Sequence, residues 1–241
     1  MKTVVIGDIH GGLKGLEQAL QRANLPKKTK YIFIGDYVDG WSESPETIDF
    51  LIDFSQKNDC LFIRGNHDEL LYNYLKRGEQ NETWLQHGGE SSKKAYQSIL
   101  KKVIDKHLHF LENLTNYHID EQNRLFVHAG FFSIHGPQFE YFPNLVYWDR
   151  TLWETACALD PLLLEDDLRY PKRLKLFKEI FIGHTPVTRI GKDIPVNFGN
   201  VWNVDTGAGF KGKVTIMDVD SKEFWQSEPV HTLYPTENGR N

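Results

Sequence analysis

Three short apolar runs in the first part of the chain lead into glycine and then into a polar residue. The runs are residues 4–6, 31–34 and 61–63, followed by Gly7-Asp8, Gly35-Asp36 and Arg64-Gly65-Asn66-His67. Short β-branched runs bounded by turn residues are typical of buried strands. Between them, apolar residues recur at helical spacing in residues 13–23 and again after Ser44-Pro45. The order β-α-β-α-β predicts an open sheet of parallel strands.

The second half of the chain carries four further apolar runs, at residues 125–127, 180–182, 201–204 and 214–217. A mostly helical excursion at about residues 69–117 precedes them, and an irregular, partly helical excursion at about residues 131–178 interrupts them. A chain of 241 residues with 40% hydrophobic content can bury one sizeable core. We therefore expect a single domain over residues 1–241.

The charge balance and the cysteines argue against several classes of protein. Lysine and arginine total 28 against 33 aspartates and glutamates, so the basic excess of a nucleic-acid-binding surface is missing. Cys60 and Cys157 form no disulfide framework and no Cys-x-x-Cys pair, which favours a reducing compartment. Only a three-residue apolar stretch precedes Gly7-Asp8, far shorter than a signal peptide or membrane span needs. We expect a cytoplasmic protein with neither nucleic acid nor a membrane as partner.

Side chains able to bind a metal or carry a proton follow several of the predicted strands. The loops that leave the carboxyl ends of strands converge in an open α/β sheet. The residues in these loops are Asp8, His10, Asp36, Asp39, Asn66, His67, His128 and His184. Mixed oxygen and imidazole ligands suit manganese, iron, zinc or nickel better than magnesium or calcium. The sequence therefore predicts a transition-metal site at this edge of the sheet.

Five motifs resemble, in order and in spacing, those of the calcineurin-like metallophosphoesterases. They are Gly7-Asp8-Ile9-His10-Gly11, Gly35-Asp36-Tyr37-Val38-Asp39, Arg64-Gly65-Asn66-His67-Asp68, His128-Ala129-Gly130 and Gly183-His184-Thr185-Pro186. Each motif alone is weak, but five in order form a specific signature. The chain is most similar to the small bacterial and phage phosphoprotein phosphatases. The resemblance implies a four-layer α/β/β/α sandwich, with two mixed sheets packed together and helices outside.

The resemblance also implies two divalent transition-metal ions, with manganese as the first choice. Asp8 and His10 would hold the first ion and Asp36 would bridge the two. The second ion would be held by Asn66, His128 and His184. Two divalent ions, two carboxylates and a bridging hydroxide leave about one positive charge to receive a phosphate dianion.

By the same resemblance, a metal-bridging hydroxide attacks phosphorus in line with the leaving group. His67 would be the general acid that protonates the leaving alkoxide, and Asp39 would orient His67.

Bidentate guanidinium groups are suited to the phosphate oxygens that do not contact metal. Arg64 and Arg150 match phosphate-binding arginines of the family. A further arginine is expected directly after Asp39, but this chain has Gly40 there. Arg189 and Trp41 are candidates to replace it.

The first choice of substrate is a phosphomonoester, above all a protein phosphorylated on serine or threonine, with small phosphoesters as further substrates. The alternative is a symmetrical dinucleoside tetraphosphatase, whose family shares the sequence Gly-Asn-His-Asp. Asp39 argues against that alternative because those enzymes typically have a small residue there, whereas Asp68 argues for it. A catalytically inactive scaffold is a third interpretation, which the unbroken set of ligands disfavours.

Several residues outside these motifs are expected to have structural roles. Large aromatic side chains dominate buried area, so the core is predicted to include Trp84, Trp153, Trp202 and Trp225. Asp205, in Asp205-Thr206-Gly207, is expected to support the site from behind.

Overall fold

Ten strands form two mixed sheets of five in the computed structural model, which describes residues 2–240. The strands are β1 (Lys2–Ile6), β2 (Thr29–Phe33), β3 (Asp59–Phe62), β4 (Tyr117–Ile119), β5 (Arg124–Val127), β6 (Glu179–Ile182), β7 (Val196–Phe198), β8 (Val201–Asn203), β9 (Thr215–Asp218) and β10 (Phe224–Gln226). The first sheet has the order β10-β9-β1-β2-β3, and the second has the order β4-β5-β6-β8-β7. Strands β1, β2 and β3 are parallel, as are β5, β6 and β8.

The helices of the described residues connect and cover these sheets. They are α1 (Leu13–Ala23), α2 (Ser44–Ser55), α3 (Asn66–Arg77), α4 (Glu82–Trp84), α5 (Glu90–Tyr96), α6 (Lys101–Glu112), α7 (Thr151–Cys157) and α8 (Val230–Leu233), with a π-helical turn at Leu85–Gly89. Helices α1 and α2 connect β1 to β2 and β2 to β3, so the predicted β-α-β-α-β order is confirmed. No helix within residues 2–240 is long and apolar enough to cross a membrane.

Alternating side chains along the strands build three apolar layers. In β1, Val4 and Ile6 belong to the cluster beneath the helices of the first sheet, whereas Val5 points to the other face. In β5, Leu125 and Val127 join a cluster with α7, whereas Phe126 lies between the sheets. Side chains two residues apart share one face of a strand, so each sheet has two buried faces. This arrangement confirms the expected sandwich of two sheets flanked by helices.

Regions 69–117 and 131–178 differ in their regular structure. The first holds most of α3 together with α4, α5 and α6, and the second holds α7 and short 3₁₀ turns at Pro137–Phe139, Pro143–Tyr147 and Lys172–Lys175. Three short strands that the sequence did not predict, β4, β7 and β10, lie at the sheet edges. That the chain forms one domain stays a prediction.

Candidate metal centre and active site

The predicted ligands lie in loops that leave the carboxyl ends of parallel strands. Asp8 follows β1, Asp36 follows β2 and His128 follows β5 directly. Asn66 is the first residue of α3, close after β3, and His184 follows β6. All five side chains are buried. The two sheets thus bring residues from distant parts of the chain to one site, as the sequence predicted.

Four of the site residues have a left-handed backbone that L-residues rarely adopt. The φ angles are +56° at His10, +53° at Asp36, +70° at Asp39 and +65° at His184. Such conformations cost about 1–3 kcal/mol each and persist where surrounding structure holds them. Their concentration in these loops indicates that the loops are shaped for function and not for stability alone.

The loop that carries Asp36 is held by a buried carboxylate from the Gly-Asn-His-Asp motif. Asp68 Oδ2 accepts hydrogen bonds from the backbone nitrogens of Asp36 (2.9 Å) and Gly65 (2.8 Å), and Asp68 Oδ1 accepts one from Tyr37 (2.9 Å). Burial raises the pKa of the Asp68 carboxyl to about 7, and the nearby Asp36 carboxylate adds to the effect. Asp68 therefore holds its own motif and the motif of Asp36 together. The sequence analysis used Asp68 only to distinguish classes of substrate and did not predict this structural role.

Asp36 lies at the centre of the site. Its Oδ1 accepts a hydrogen bond of 2.9 Å from the backbone nitrogen of His67. Its Oδ2 is buried without a hydrogen-bond partner in the described structure, and lies 3.5 Å from His10 Nε2 and 3.4 Å from His128 Nε2. An unpartnered carboxylate oxygen between two imidazole nitrogens fits the predicted bridge between two cations.

The ligands on the first side of Asp36 are oriented by backbone groups. His10 Nδ1 lies 3.1 Å from the carbonyl oxygen of Val38, to which it can donate a hydrogen bond. That bond leaves Nε2 free to bind an ion, and Nε2 is 3.7 Å from Asp8 Oδ2. A Cβ atom at Gly183 would lie 2.1 Å from Asp8 Oδ1, so only glycine leaves room for this carboxylate.

The predicted ligands on the second side also meet. His128 Nδ1 is 2.8 Å from the carbonyl oxygen of Ile34, which leaves its Nε2 facing Asp36. Asn66 Oδ1 lies 2.9 Å from His184 Nδ1 and 3.3 Å from His128 Nε2. The amide oxygen and the two imidazoles thus form the compact set that the sequence assigned to a second ion.

The pKa shifts in this buried cluster indicate that positive charge stabilises its carboxylates. Burial alone would raise the pKa of Asp36, but the imidazoles of His128, His67 and His10 hold it well below its ordinary value. Burial, with help from Asp205, raises the pKa of Asp8 well above its ordinary value. Burial alone would lower the pKa of His128, but Asp36 raises it to about 9. Protons thus occupy places that divalent ions would take.

The other two histidines of the cluster are poised as neutral ligands. Burial lowers the pKa of His10 well below its ordinary value, and the guanidinium of Arg240 adds to the effect. Burial does the same at His184, where His128 and Arg150 contribute. A neutral imidazole is the form that binds metal.

His67 and Asp39 form the expected pair, and a third residue completes it. Asp39 Oδ2 lies 2.7 Å from His67 Nδ1, so His67 can present Nε2 to a substrate. The indole nitrogen of Trp84 donates to the same oxygen over 2.5 Å. The sequence placed Trp84 in the core and did not predict its contact with Asp39.

The two predicted phosphate-binding arginines have different surroundings. Arg64 Nη1 is 2.5 Å from Glu69 Oε2, and Nη2 contacts the carbonyl oxygens of Glu112 (3.2 Å) and Leu114 (3.4 Å). These partners engage both terminal nitrogens in the described structure, and phosphate binding by Arg64 stays a prediction. Arg150 Nη1 contacts Thr185 Oγ1 at 3.3 Å, one residue from His184. Burial lowers the pKa of Arg150, as do Arg189 and Arg240 nearby, so Arg150 stays a candidate.

Two residues distant from the motifs also reach the site. Arg240 Nη1 lies 3.0 Å from His10 Nε2. Burial raises the pKa of Asp205 to about 6, although the nearby guanidinium of Arg240 lowers it, and the Asp205 charge in turn raises the pKa of Asp8. Trp41, a candidate for the missing arginine, is fully buried and donates its indole NH to the carbonyl oxygen of Ala208 (2.8 Å). Trp41 therefore cannot contact a substrate.

Comparison with known proteins agrees with this geometry. The family described as calcineurin-like phosphoesterase matches residues 1–212. An Oceanobacillus iheyensis protein named bis(5'-nucleosyl)-tetraphosphatase (asymmetrical) is 26% identical over 239 residues, covering 93% of this chain and 91% of that protein. Serine/threonine-protein phosphatase 1 of Salmonella typhimurium is 23% identical over 220 residues, covering 88% and 89%.

A solved protein serine/threonine phosphatase from Saccharomyces cerevisiae shares the fold, with a TM-score of 0.57, 17% identity and coverage of 95% of this chain and 80% of that one. Family profile, fold and the clustered aspartates and histidines agree. The chain belongs to the calcineurin-like phosphoesterases and is a metal-dependent phosphoester hydrolase.

Proposed function

We propose that this enzyme cleaves phosphoanhydride bonds in bis(5'-nucleosyl) tetraphosphates. The observation that carries the proposal is a cavity of about 430 Å³ whose lining includes Arg189, Phe210, Lys211 and Arg240. Arg240 also contacts His10, so the cavity adjoins the candidate metal centre. Among the described residues, Arg189, Lys211 and Arg240 have no carboxylate within ion-pair distance.

The chemistry of this cavity suits a polyphosphate that carries a nucleoside. Guanidinium and ammonium groups bind phosphate oxygens, and an aromatic ring offers a face on which a nucleobase can stack. A phosphomonoester would place its single phosphoryl group at the metal centre, beside Arg240, and leave Arg189 and Lys211 unused. A tetraphosphate chain extends beyond the centre and needs compensating charge along its length.

The names of the relatives also favour a bis(5'-nucleosyl) tetraphosphate over a phosphomonoester as substrate. Names that specify bis(5'-nucleosyl) tetraphosphates occur among the proteins that match this chain over most of its length. The sequence alone favoured a protein phosphatase and kept the tetraphosphatase as its alternative. The cavity and the relatives together now favour the alternative, without fixing which of the phosphoanhydride bonds is cleaved.

The residues of the site would share the work of hydrolysis. Ions held by the six predicted ligands would lower the pKa of a bound water and polarise the phosphoryl oxygens. The water oxygen bonds to phosphorus while the bridging P–O bond breaks, and the leaving nucleotide takes that electron pair. Arg150 is placed to bind phosphoryl oxygens, and His67 is held by Asp39 so that its Nε2 can donate a proton to the leaving oxygen.

Phosphomonoester hydrolysis is a second candidate, favoured by the pairing of His67 with Asp39 at 2.7 Å. An alkoxide leaving group is strongly basic and requires a proton, whereas a nucleotide phosphate is weakly basic and leaves more readily. A positioned general acid is thus of greater value with phosphoserine or phosphothreonine than with a nucleoside polyphosphate.

A side-by-side assay tests the proposal. With manganese supplied, kcat/KM is measured for diadenosine tetraphosphate and for a phosphoserine peptide. Chromatography of the nucleotide products distinguishes two ADP from ATP plus AMP. We expect the dinucleotide to be preferred by at least about tenfold, equivalent to about 1.4 kcal/mol. A preference for the peptide by the same factor would make phosphomonoester hydrolysis the function.

Substitution in the cavity adds a test of its role. Arg189→Gln should raise KM for the dinucleotide about tenfold and leave an aryl phosphate unaffected, because only the longer substrate reaches the cavity. Arg169→Gln is the matched control, since Arg169 is paired with Asp167 on the surface. Equal effects of Arg189→Gln on both substrates would mean that the cavity does not bind the additional phosphates of the dinucleotide.

A further inference from the structure

The side chain of Arg240, the last of the described residues, fills the space beside Gly40. Gly40 stands where the family pattern has a phosphate-binding arginine, and its φ of +108° would strain any L-residue. A Cβ atom built at Gly40 would lie 3.1 Å from Arg240 Cγ and 3.3 Å from the carbonyl oxygen of His10. The stem of the Arg240 side chain therefore runs where a side chain at position 40 would begin.

Three glycines make room for this stem. A Cβ atom at Gly88 would lie 2.9 Å from Arg240 Cγ, and one at Gly209 would lie 2.9 Å from Arg240 Cδ. Gly40 is the third, and its nitrogen donates to the carbonyl oxygen of Gly88 over 3.0 Å. Arg240 thus enters the site through a channel that larger residues at these positions would narrow.

Several contacts hold Arg240 in this channel. Its backbone nitrogen donates to the carbonyl oxygen of Gly209 (2.7 Å), and its Nε donates to the carbonyl oxygen of His87 (3.0 Å). The guanidinium carbon lies 5.0 Å from the centre of the Phe210 ring.

The segment before Arg240 is anchored as well. The Glu237 carboxylate accepts hydrogen bonds from the Ser42 backbone nitrogen (2.9 Å) and hydroxyl (2.8 Å). The Tyr234 ring stacks on Trp41 with their centres 5.3 Å apart. Residues 234–240 are therefore docked onto the loop that carries Gly40, and the position of Arg240 is a built feature of the fold.

We propose that Arg240 binds the phosphate of the substrate, in place of the arginine that is absent at position 40. The proposal rests on the proposed phosphoester hydrolysis and adds a substrate-binding residue to it. Nε is already satisfied by His87, whereas Nη2 has no acceptor among the described residues. Nη1 faces His10 Nε2, and when His10 uses that atom to bind an ion, Nη1 also becomes available. Two terminal donors of one guanidinium are the arrangement that binds phosphate bidentately.

Phosphate affinity gives a test that does not depend on turnover. Inorganic phosphate is titrated into the manganese-loaded protein by calorimetry, for wild type, Arg240→Gln and Arg240→Lys. We expect Arg240→Gln to weaken phosphate binding about 10- to 100-fold, as the loss of charge-assisted hydrogen bonds predicts. Lysine keeps the charge but not the fork, so Arg240→Lys should recover part of the affinity. KM for any hydrolysed phosphoester should rise in parallel, with a smaller change in kcat.

Control measurements separate this role from folding and from the choice of substrate. Arg22→Gln removes a surface arginine whose side chain is paired with Glu228, and should leave phosphate binding unchanged. Thermal melting shows whether Arg240→Gln remains folded. Unchanged phosphate affinity in a folded Arg240→Gln protein would overturn the proposal, whatever the enzyme hydrolyses. Weaker phosphate binding together with no hydrolysis of the dinucleotide would uphold Arg240 and reject the proposed function instead.

Discussion

The indole nitrogen of Trp84 lies 2.5 Å from Asp39 Oδ2, the carboxylate oxygen that also lies 2.7 Å from His67 Nδ1. Two donors on one oxygen fix the carboxylate, and the carboxylate in turn fixes the imidazole. The Trp84 ring is itself held in place by close packing against Gly89: a Cβ atom built at Gly89 would lie 2.3 Å from the ring. Trp84 is thus a positioning residue for His67, and the helical excursion that carries it is part of the site.

Replacing Trp84 by phenylalanine should lower kcat about tenfold, because the carboxylate loses a hydrogen bond of charge-assisted strength. KM should change little, since Trp84 is buried and does not contact substrate. The loss should be larger for an alkyl phosphate than for p-nitrophenyl phosphate, whose leaving group needs no proton. Trp153→Phe, within α7 and buried in a different apolar cluster, is the matched control. An equal loss with both substrates would reduce Trp84 to a packing residue.

His67→Gln should affect substrates according to their leaving groups. Removing a general acid costs about 10²- to 10⁴-fold with a basic alkoxide leaving group. With diadenosine tetraphosphate or p-nitrophenyl phosphate the loss should be much smaller. Rates for the variant plotted against the basicity of the leaving group should therefore fall more steeply than those of the wild type. Parallel lines for the two proteins would remove the acid role from His67.

The clustering of the candidate metal ligands could be predicted from sequence because each follows a strand within a few residues. Asp8, Asp36 and His128 needed only the strand pattern and the motifs, and the parallel sheets then brought them together. The contacts that Trp84 and Arg240 make with the site carry no such local signal. Arg240 lies 230 positions from His10 in the sequence, and its approach depends on how residues 234–240 dock. Such contacts are decided by tertiary packing, which a short motif does not encode.

For Arg64 the motif could be recognised in the sequence, but the contacts of the side chain could not be predicted. Its motif is correct, but its guanidinium reaches Glu69 across the first turns of α3 and does not remain free. A charged side chain takes the nearest partner that geometry allows, and in this chain that partner lies five residues away. The sandwich itself was predictable, whereas the short edge strands β4, β7 and β10 were not, because three residues give little periodicity.

Removal of metal should abolish activity, and added manganese should restore it. Asp36→Asn should remain inactive after addition of manganese, since the central Oδ2 charge is lost. Metal bound only to the folded state stabilises it, by about 2.7 kcal/mol at a hundredfold excess over Kd. The melting temperature of the wild type should therefore rise with manganese, and that of Asp36→Asn should not. Asp49→Asn, which alters a surface partner of Lys106, should respond like the wild type. A manganese-dependent rise in Asp36→Asn would remove Asp36 from the ligand set.

Metal binding should release protons at neutral pH. In the metal-free protein the pKa of His128 is raised to about 9 by Asp36 against the opposing effect of burial, and burial raises the pKa of Asp8. His128 must lose its proton to bind an ion, so below about pH 9 the affinity should increase with pH, by about tenfold per unit. His10 and His184 release none, because their pKa values are lowered and both are already neutral.

Calorimetric titration of manganese at pH 7.5 in two buffers with different ionisation enthalpies measures this release. The observed enthalpy should differ between the buffers by at least one buffer ionisation, and the contribution of His128 should disappear above about pH 9, where its imidazole is already neutral. Equal enthalpies in both buffers at pH 7.5 would mean that manganese binding releases no proton from His128. His128 would then not be a ligand that must be deprotonated before it binds the ion.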